Sequence, residues 1–580
     1  MTKDKYFLSL ILIIFLSILL KLSFIDKFYT ETDDLISIHQ LLKYKDQTIY
    51  TLVNDKESPS YNNQIKIKIR AIQNKNNKYL DFIEKISSAI LIRISPSKHS
   101  TFAPLQYFIF ADLINKDQNY NELKFNSRLP SIFFNTLYIL LSYFFCTKIF
   151  VNENKFSFIS SFILILSMPL IYISLRSYNY AAGTLTTTLI FLITYLEMIE
   201  KNFSKIKLSN EKINTKKSLL LGVIFSLLAY LNYSVFFILP IFFIMCFFKY
   251  FKFELKNFIS YMNFNLFLVG IFFIIFSSPL IIHIFNMNLH QYGVTGSTGG
   301  ELMEYHLSKN EKKDFLYVLL FFIKNYYFTI SKNISFFTDS LPFSSLLQFV
   351  LFSFVFIGIF ISRNENKEFK MFSNLIIFFF FYYAVLVYFE VLTLGPTRHS
   401  NFYTPIFVIL FVATVRYILK YCKKKFVNLI YNLILITIFS CFTFSIKDFY
   451  NSYKDPFNEN NLNQIIKKYD VAYLSTSPSF SDNVCIMKNI NTTVRTCPIK
   501  YSRYTKFINL NQIDLKKLKI KEKTIMFLND DESLSKYNQL LKNENFKLVK
   551  VIDNTRFSFG NSPLFISKYK PNQFKIYIFK

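Results

Sequence analysis

Asp33 and Asp34 stand side by side in Tyr29-Thr30-Glu31-Thr32-Asp33-Asp34-Leu35-Ile36-Ser37-Ile38-His39, directly behind the first hydrophobic segment of a 580-residue chain. A carboxylate can take a proton from a hydroxyl, and a second carboxylate beside it raises its proton affinity, so the exchange works near neutral pH. Taken alone, the pair reads first as a solvated helix cap, because Asp is favoured at a first turn. Its weight comes from the cations that the hydrophobic pattern delivers to the same side: Arg128, Arg176, Arg398 and His399. A single arginine at a membrane edge snorkels to the headgroups. Several on one face suit a phosphate at the end of a lipid, whose oxygens accept paired guanidinium bonds. The chemistry these residues support is glycosyl transfer from a lipid phosphate. Asp33 would act as general base on an acceptor hydroxyl, Asp34 as its neighbour or as a metal ligand, and the cations would stabilise the leaving phosphate. One carboxylate acting as base implies single displacement with inversion.

A second group of polar residues lies in loop 285–312, where Gly293, Gly296, Gly299 and Gly300 are four of the ten glycines in the chain. His290, Glu301, Glu304 and His306 flank them. The loop reads either as a flexible linker or as a lid with glycine hinges. Its histidines and glutamates could ligate a divalent ion, but their spacing is not that of a known metal motif. Cys146, Cys246, Cys422 and Cys441 lie in or beside apolar runs and read as small core residues. Cys485 and Cys497 lie in a polar region and form a disulfide only if that region is outside the cytoplasm.

The elements that must position these groups are membrane helices. The chain is 52% hydrophobic, contains 72 Phe and has a mean hydropathy of +0.27, and long apolar runs recur through its first three quarters. The net charge of +29 does not point to nucleic acid, because the lysines are scattered through loops between apolar runs, where anionic headgroups account for them. Residues 6–24 form the first run, behind Lys3 and Lys5, with Lys21 and aromatic residues where a cleavage site would need small ones; it reads as an uncleaved anchor. Further spans are expected at 128–147, 156–174, 179–198, 217–233, 234–250, 261–284, 345–362, 371–393, 402–420 and 427–446, eleven in all. The run 218–250 breaks at Asn232-Tyr233-Ser234 into a hairpin. Segment 101–114, too short to cross, is expected to lie at the interface, and 313–332 to be a partly embedded helix on the outer side. The inside loops then carry Lys148 and Lys155, Lys201 to Lys217, Lys249 to Lys256, Arg363 to Lys370 and Lys420 to Lys425, a consistent positive-inside pattern. The spans themselves read as almost free of internal charge, with Glu390 near an end. The organisation is a membrane domain over 1–450, with external loop 25–127 and lid-like loop 285–344, followed by a soluble extracytoplasmic α/β domain over 451–580. In the latter, 471–474, 524–528, 546–552, 564–568 and 574–579 read as strands and 531–543 as a helix.

Four local patterns resemble the GT-C superfamily of membrane glycosyltransferases, in the branch of protein O-mannosyltransferases and the bacterial transferase that adds aminoarabinose to lipid A. Asp33-Asp34-Leu35-Ile36-Ser37 looks like the family's Asp-Glu pair in the first external loop, with the shorter Asp34 in the glutamate's place. His99-Ser100-Thr101-Phe102-Ala103-Pro104-Leu105-Gln106-Tyr107 looks like its His-Pro-Pro-Leu-x-Tyr interfacial helix, with an insertion and a lost proline. Arg128-Leu129-Pro130-Ser131 matches the opening of the next span, and Ser174-Leu175-Arg176-Ser177-Tyr178 looks like the Arg-x-Tyr turn. The resemblance covers roughly residues 1–200. It implies a polyprenyl-phosphate sugar donor, an external active site in the cytoplasmic membrane, Tyr178 among the donor-phosphate residues and His99 near the substrate. It leaves the sugar open, and the acceptor could be a glycan, a lipid or a protein. Two other readings stand beside it: a transporter or flippase of lipid-linked sugars, which would use midplane charges and broken helices, and a non-catalytic membrane scaffold.

Overall fold

The computed structural model describes residues 2–28, 105, 113, 120–151, 153–177, 180–199, 215–250, 261–294, 314–364, 367–389, 392, 394–395 and 400–453, and five strands between 471 and 579. Among them are α1 (Thr2–Phe24), α2 (Tyr120–Ile149), α3 (Asn154–Leu166), α4 (Met168–Ser174), α5 (Tyr180–Ile199), α6 (Thr215–Leu231), α7 (Val235–Tyr250), α8 (Tyr261–Val294), α9 (Phe315–Asn333), α10 (Ser344–Asn364), α11 (Lys367–Tyr388), α12 (Thr404–Tyr421) and α13 (Lys424–Tyr453). Seven of these helices are long and apolar enough to cross a membrane, or eight crossings if the bent pair α3–α4 is one. The chain is a multi-pass helical membrane protein. Ten of the eleven expected spans each coincide with one of these helices and the one at 156–174 with the pair α3–α4, but α6 has only 17 residues, and the apolar parts of α7 and α8 are Val235–Phe247 and Asn265–Ile281.

Local chemistry explains the breaks. Between α6 and α7 the Asn232 side chain accepts the Ser234 N–H at 2.8 Å, an Asx turn that ends one helix and starts the next. The span expected at 156–174 is not one helix: α3 and α4 are bent by 59° about Ser167. Pro169 has no N–H to continue the ladder, and Ser167 is extended, with ψ 118°. The opened backbone is closed from elsewhere in the chain, by the Met168 N–H donating to the Ser335 carbonyl at 2.9 Å and Ser167 Oγ to the Asn333 carbonyl at 3.3 Å. Helix α8 runs through to Val294, so His290 and Gly293 are helical and not in the loop expected at 285–312. The stretch from Ile282 to Tyr292 contains neither Gly nor Pro, so nothing in it stops the helix. The lid-like loop expected over 285–344 is interrupted again by α9.

Close helix packing relies on small residues, as is usual between membrane helices. Ser218, Gly222 and Ser226 recur every fourth residue on the face of α6 that meets α8. Ser218 and Ser226 donate to the Asn265 and Phe273 carbonyls at 3.2 and 3.1 Å, and a side chain at Gly222 would strike Phe272. Helix α9 begins at Asp314, whose carboxylate accepts the Leu316 and Tyr317 N–H groups at 2.9 and 3.3 Å. Its first half is largely exposed, whereas Thr329 to Asn333 are buried in the bundle. This agrees with a partly embedded helix and adds that its end reaches the core.

The strands form one sheet in the order β2 (Lys506–Asn509), β1 (Val471–Ser475), β3 (Thr524–Leu528), β5 (Asn572–Phe579), β4 (Phe546–Asn554). β1 pairs in parallel with β2 and β3, while β5 is antiparallel to β3 and β4. Four of these strands coincide with segments expected to be strands. β2 was not expected, because it is only four residues long and has polar ends. The strand expected at 564–568, the helix at 531–543, and Cys485 and Cys497 lie outside the described residues. Cys146 and Cys246 are buried, as expected of core residues, and Cys422 and Cys441 are half-buried; all four are free thiols.

Candidate functional site

Helix α1 ends at Phe24 and makes one further turn, in which the Lys27 and Phe28 N–H groups donate to the Phe24 carbonyl at 3.0 and 3.1 Å. The carbonyls past a helix end need donors, and α2, running antiparallel, supplies them with cations. Arg128 Nη1 donates to the carbonyls of Ile25 and Phe28 at 2.6 and 3.1 Å, and Lys124 Nζ to that of Asp26 at 2.6 Å. Deeper in the pair, Lys21 Nζ donates to Asn135 Oδ1 at 2.6 Å. Lys124, Arg128, Ser131 and Asn135 recur at three or four residues along one buried face of α2, while Phe133, Leu137 and Phe144 are exposed on its other side. Arg128 is 0% exposed and Lys21 1%. Burial of charge at that level is sustained by hydrogen bonds, each worth roughly 1.5–3 kcal/mol when a charged group takes part. The spans are therefore not almost free of internal charge, as the apolar runs implied. Long aliphatic stems let lysine and arginine sit among apolar neighbours while the head finds a polar partner.

The second cation from the sequence comes to the same place. Arg176 follows α4 by two residues, is 4% exposed, and lies over the Tyr172 ring at 5.0 Å. Its neighbour Ser177 is 2.6 Å, hydroxyl to hydroxyl, from Ser127, the residue before Arg128. Aromatic rings join the two sides: Tyr172 packs on Tyr453 at 5.1 Å, Tyr453 on Phe28 at 6.0 Å, and Phe28 on Phe24, Phe449 and Tyr450. Arg128 and Arg176, forty-eight positions apart in the chain, are thus tied to one aromatic column and to each other's neighbours. Arg128 does not open its helix, as expected of a span starting at 128; α2 begins at Tyr120, two turns earlier.

Helix α4 links this corner to another. At its start Ser167 contacts Asn333, and Asn333 Nδ2 donates to the Ser400 carbonyl at 2.8 Å and to Ser400 Oγ at 3.1 Å. Seven residues of helix separate the two corners, about 10 Å. Leu105, within the segment expected at the interface, packs against Phe134, Ala181, Ala182 and Leu231. The remaining expected site residues, Asp33, Asp34, His99, Tyr178, Glu301, Glu304, His306, Arg398 and His399, lie outside the described residues, as does the side chain of His290. Among the described residues no group of three His, Cys, Asp or Glu gathers in the manner of a metal site.

Reasoning from sequence passed over Lys21, Asn135, Tyr172, Tyr453 and Asn333. The first two carry a signal, since a lysine inside an apolar run and an asparagine in phase with Arg128 both invite a partner. The aromatic residues carry none in a chain with 72 Phe and 39 Tyr. A separate apolar cavity of about 960 Å³ opens between α7, α8 and α11, lined by Phe243, Phe247, Phe267, Phe378 and Phe381, with Gly270 on its wall. No family model matches the chain, and no curated protein is similar enough to match it.

Proposed function

We propose that the protein is a membrane glycosyltransferase of GT-C type that moves a sugar from a polyprenyl phosphate to an acceptor hydroxyl. In this reading the chain makes eleven crossings, the Phe28 end of the bundle is the extracytoplasmic one, and the region after α13 lies outside. The observation that supports it is the convergence of Arg128 and Arg176, from separate helices, at the place where the chain leaves α1 toward Asp33. Asp33 is five positions beyond Phe28, a reach of at most about 18 Å. Tyr178 directly follows Ser177, and His399 directly precedes Ser400, at the two ends of the α4 link.

In the reaction, an Asp33 oxygen takes the proton of the acceptor hydroxyl as the acceptor's oxygen attacks the anomeric carbon. The bond from that carbon to the phosphate oxygen breaks, and its electron pair leaves with the phosphate. Arg128 and Arg176, with Tyr178, Arg398 and His399, hold the phosphate and stabilise the charge it gains. Asp34 keeps the proton affinity of Asp33 high, or holds a divalent ion if transfer uses one. The apolar cavity between α7, α8 and α11 offers a lipid chain a place beside the bundle. The test is Asp33→Asn in membrane vesicles given a labelled polyprenyl-phosphate sugar. Transfer is abolished with expression unchanged; normal transfer removes the proposal.

A transporter of lipid-linked sugars remains the second reading, favoured by two observations: Lys21 buried within α1 and the broken pair α3–α4. It predicts that the labelled lipid crosses the bilayer with its glycosidic bond intact.

A further inference from the structure

The cavity of about 960 Å³ between α7, α8 and α11 is as large as pockets that hold a whole small molecule. Tyr382 carries the only hydroxyl among the residues that line it. Phe267, Ile274 and Phe381 line it too, and they are 61%, 58% and 69% exposed, so its walls run out onto the outer surface of the bundle. On helices that cross a membrane, that surface meets lipid chains. The cavity is therefore continuous with the protein's interface to the bilayer. Gly270 shapes its wall: a Cβ there would stand 3.9 Å from the Phe243 ring, an ordinary contact, so a longer side chain would enter the open space.

The three helices carry their cations at one end only. α11 begins away from Phe28, where the Phe150 and Phe369 rings meet at 5.3 Å. Tyr195, near the end of α5, lies there as well, 3.4 Å from the Lys148 and Glu368 carbonyls. Lys217, pairing with Glu197 at 2.7 Å, brings the start of α6 to the same end, and Ser218, donating to the Asn265 carbonyl at 3.2 Å, brings the start of α8. α7 turns back from α6 at Asn232 and so finishes there. At this end the sequence places Lys249, Lys252 and Lys256 between α7 and α8, and Lys367 and Lys370 at the opening of α11. Toward the other end, 232–242, 275–294 and 371–389 contain neither Lys nor Arg. Lys370 is exposed and stands eleven residues, about three turns, before Phe381, on the same face of α11. It is eight residues, about 12 Å, from Phe378 on the cavity wall. A lipid chain covers half of the roughly 30 Å hydrocarbon core, about 15 Å, so one anchored at the level of Lys370 reaches the cavity.

We propose that the cavity binds an acyl chain of an anionic phospholipid from the leaflet at this end, with Lys370 at the lipid's headgroup. The inference is independent of sugar transfer: the apolar walls select a chain, and the one-sided lysines select a negative headgroup.

The experiment is native mass spectrometry of the purified full-length protein released from nanodiscs of phosphatidylcholine and phosphatidylglycerol in equal amounts, with thermal unfolding measured beside it. Wild type retains phosphatidylglycerol in preference to phosphatidylcholine. Gly270→Leu fills the space and retains neither above background, whereas Gly270→Ala behaves as wild type. Lys370→Gln lowers phosphatidylglycerol retention roughly fivefold, the effect of one lysine at a membrane surface, and leaves phosphatidylcholine unchanged. Equal retention of the two lipids by wild type overturns the proposal, as does wild-type retention in Gly270→Leu. If Gly270→Leu does not fold, Lys370→Gln decides, and an unchanged preference in it overturns the proposal. Complete displacement of phosphatidylglycerol from wild type by an equal amount of polyprenyl phosphate would give the cavity to that chain instead, and also overturns it.

Discussion

The two ends of the bundle handle their cations differently. At the Glu153 end, Arg416 pairs with the Glu153 carboxylate and lies over Phe369 at 5.1 Å, and Lys217 pairs with Glu197 at 2.7 Å. Arg416, Glu153 and Lys217 are partly exposed, and Glu197 is buried. At the Phe28 end, the partners described for Arg128, Lys124, Lys21 and Arg176 are three backbone carbonyls, an amide oxygen and a ring, and all four cations are buried. A carboxylate orients a cation and neutralises it; a carbonyl or ring orients it and leaves its charge in place. In the proposed topology the first arrangement lies at the cytoplasmic end, where anionic headgroups meet it. The second places four cationic side chains inside the bundle, and under the proposed function Arg128 and Arg176 among them would meet the lipid phosphate.

Substitutions break this contrast in order of size. Arg128→Met strips the Ile25 and Phe28 carbonyls of their donor inside the bundle. It should cost about 3 kcal/mol or more in thermal unfolding and abolish transfer. Arg128→Lys should fall between, because a point charge cannot reproduce the fork that reaches two carbonyls. Lys21→Met leaves Asn135 Oδ1 without its described donor, at about 1–3 kcal/mol, whereas Lys21→Met with Asn135→Leu should return close to wild type, because removing both partners is nearly neutral. A double variant as unstable as the single one would give Lys21 a role beyond holding Asn135. Arg416→Ala, at the other end, should cost at most about 1 kcal/mol, weaken further in effect at high salt, and leave transfer unchanged. A loss of transfer there would erase the distinction between the two ends.

What the sequence made legible was what neighbouring residues decide among themselves. The hairpin at Asn232-Tyr233-Ser234 follows from an Asx turn, the helices follow from apolar runs, and four of the five strands follow from short β-branched and aromatic stretches. Arg128 and Arg176 stood out as cations at span edges expected to be poor in them, and their neighbours Ser127 and Ser177 are hydrogen-bonded to each other. The break at Ser167 was not legible, because Pro169 is tolerated near the start of a helix and the closing carbonyl belongs to Ser335, far along the chain. Lys21 was visible as a lysine in an apolar run, but its partner Asn135, 114 positions away, was not. The buried end of α9 has the same cause: its composition is amphipathic along its length, and only the fold decides which half enters the bundle.

The join between Met168 and Ser335 also orders the making of the protein. Until Ser335 has been synthesised, the amide of Met168 sits at a bend with no backbone acceptor of its own, in surroundings that hold little water. A nascent chain cut short before that point carries that bend unclosed. The bend between α3 and α4 is therefore closed only when a segment made much later arrives to supply its acceptor.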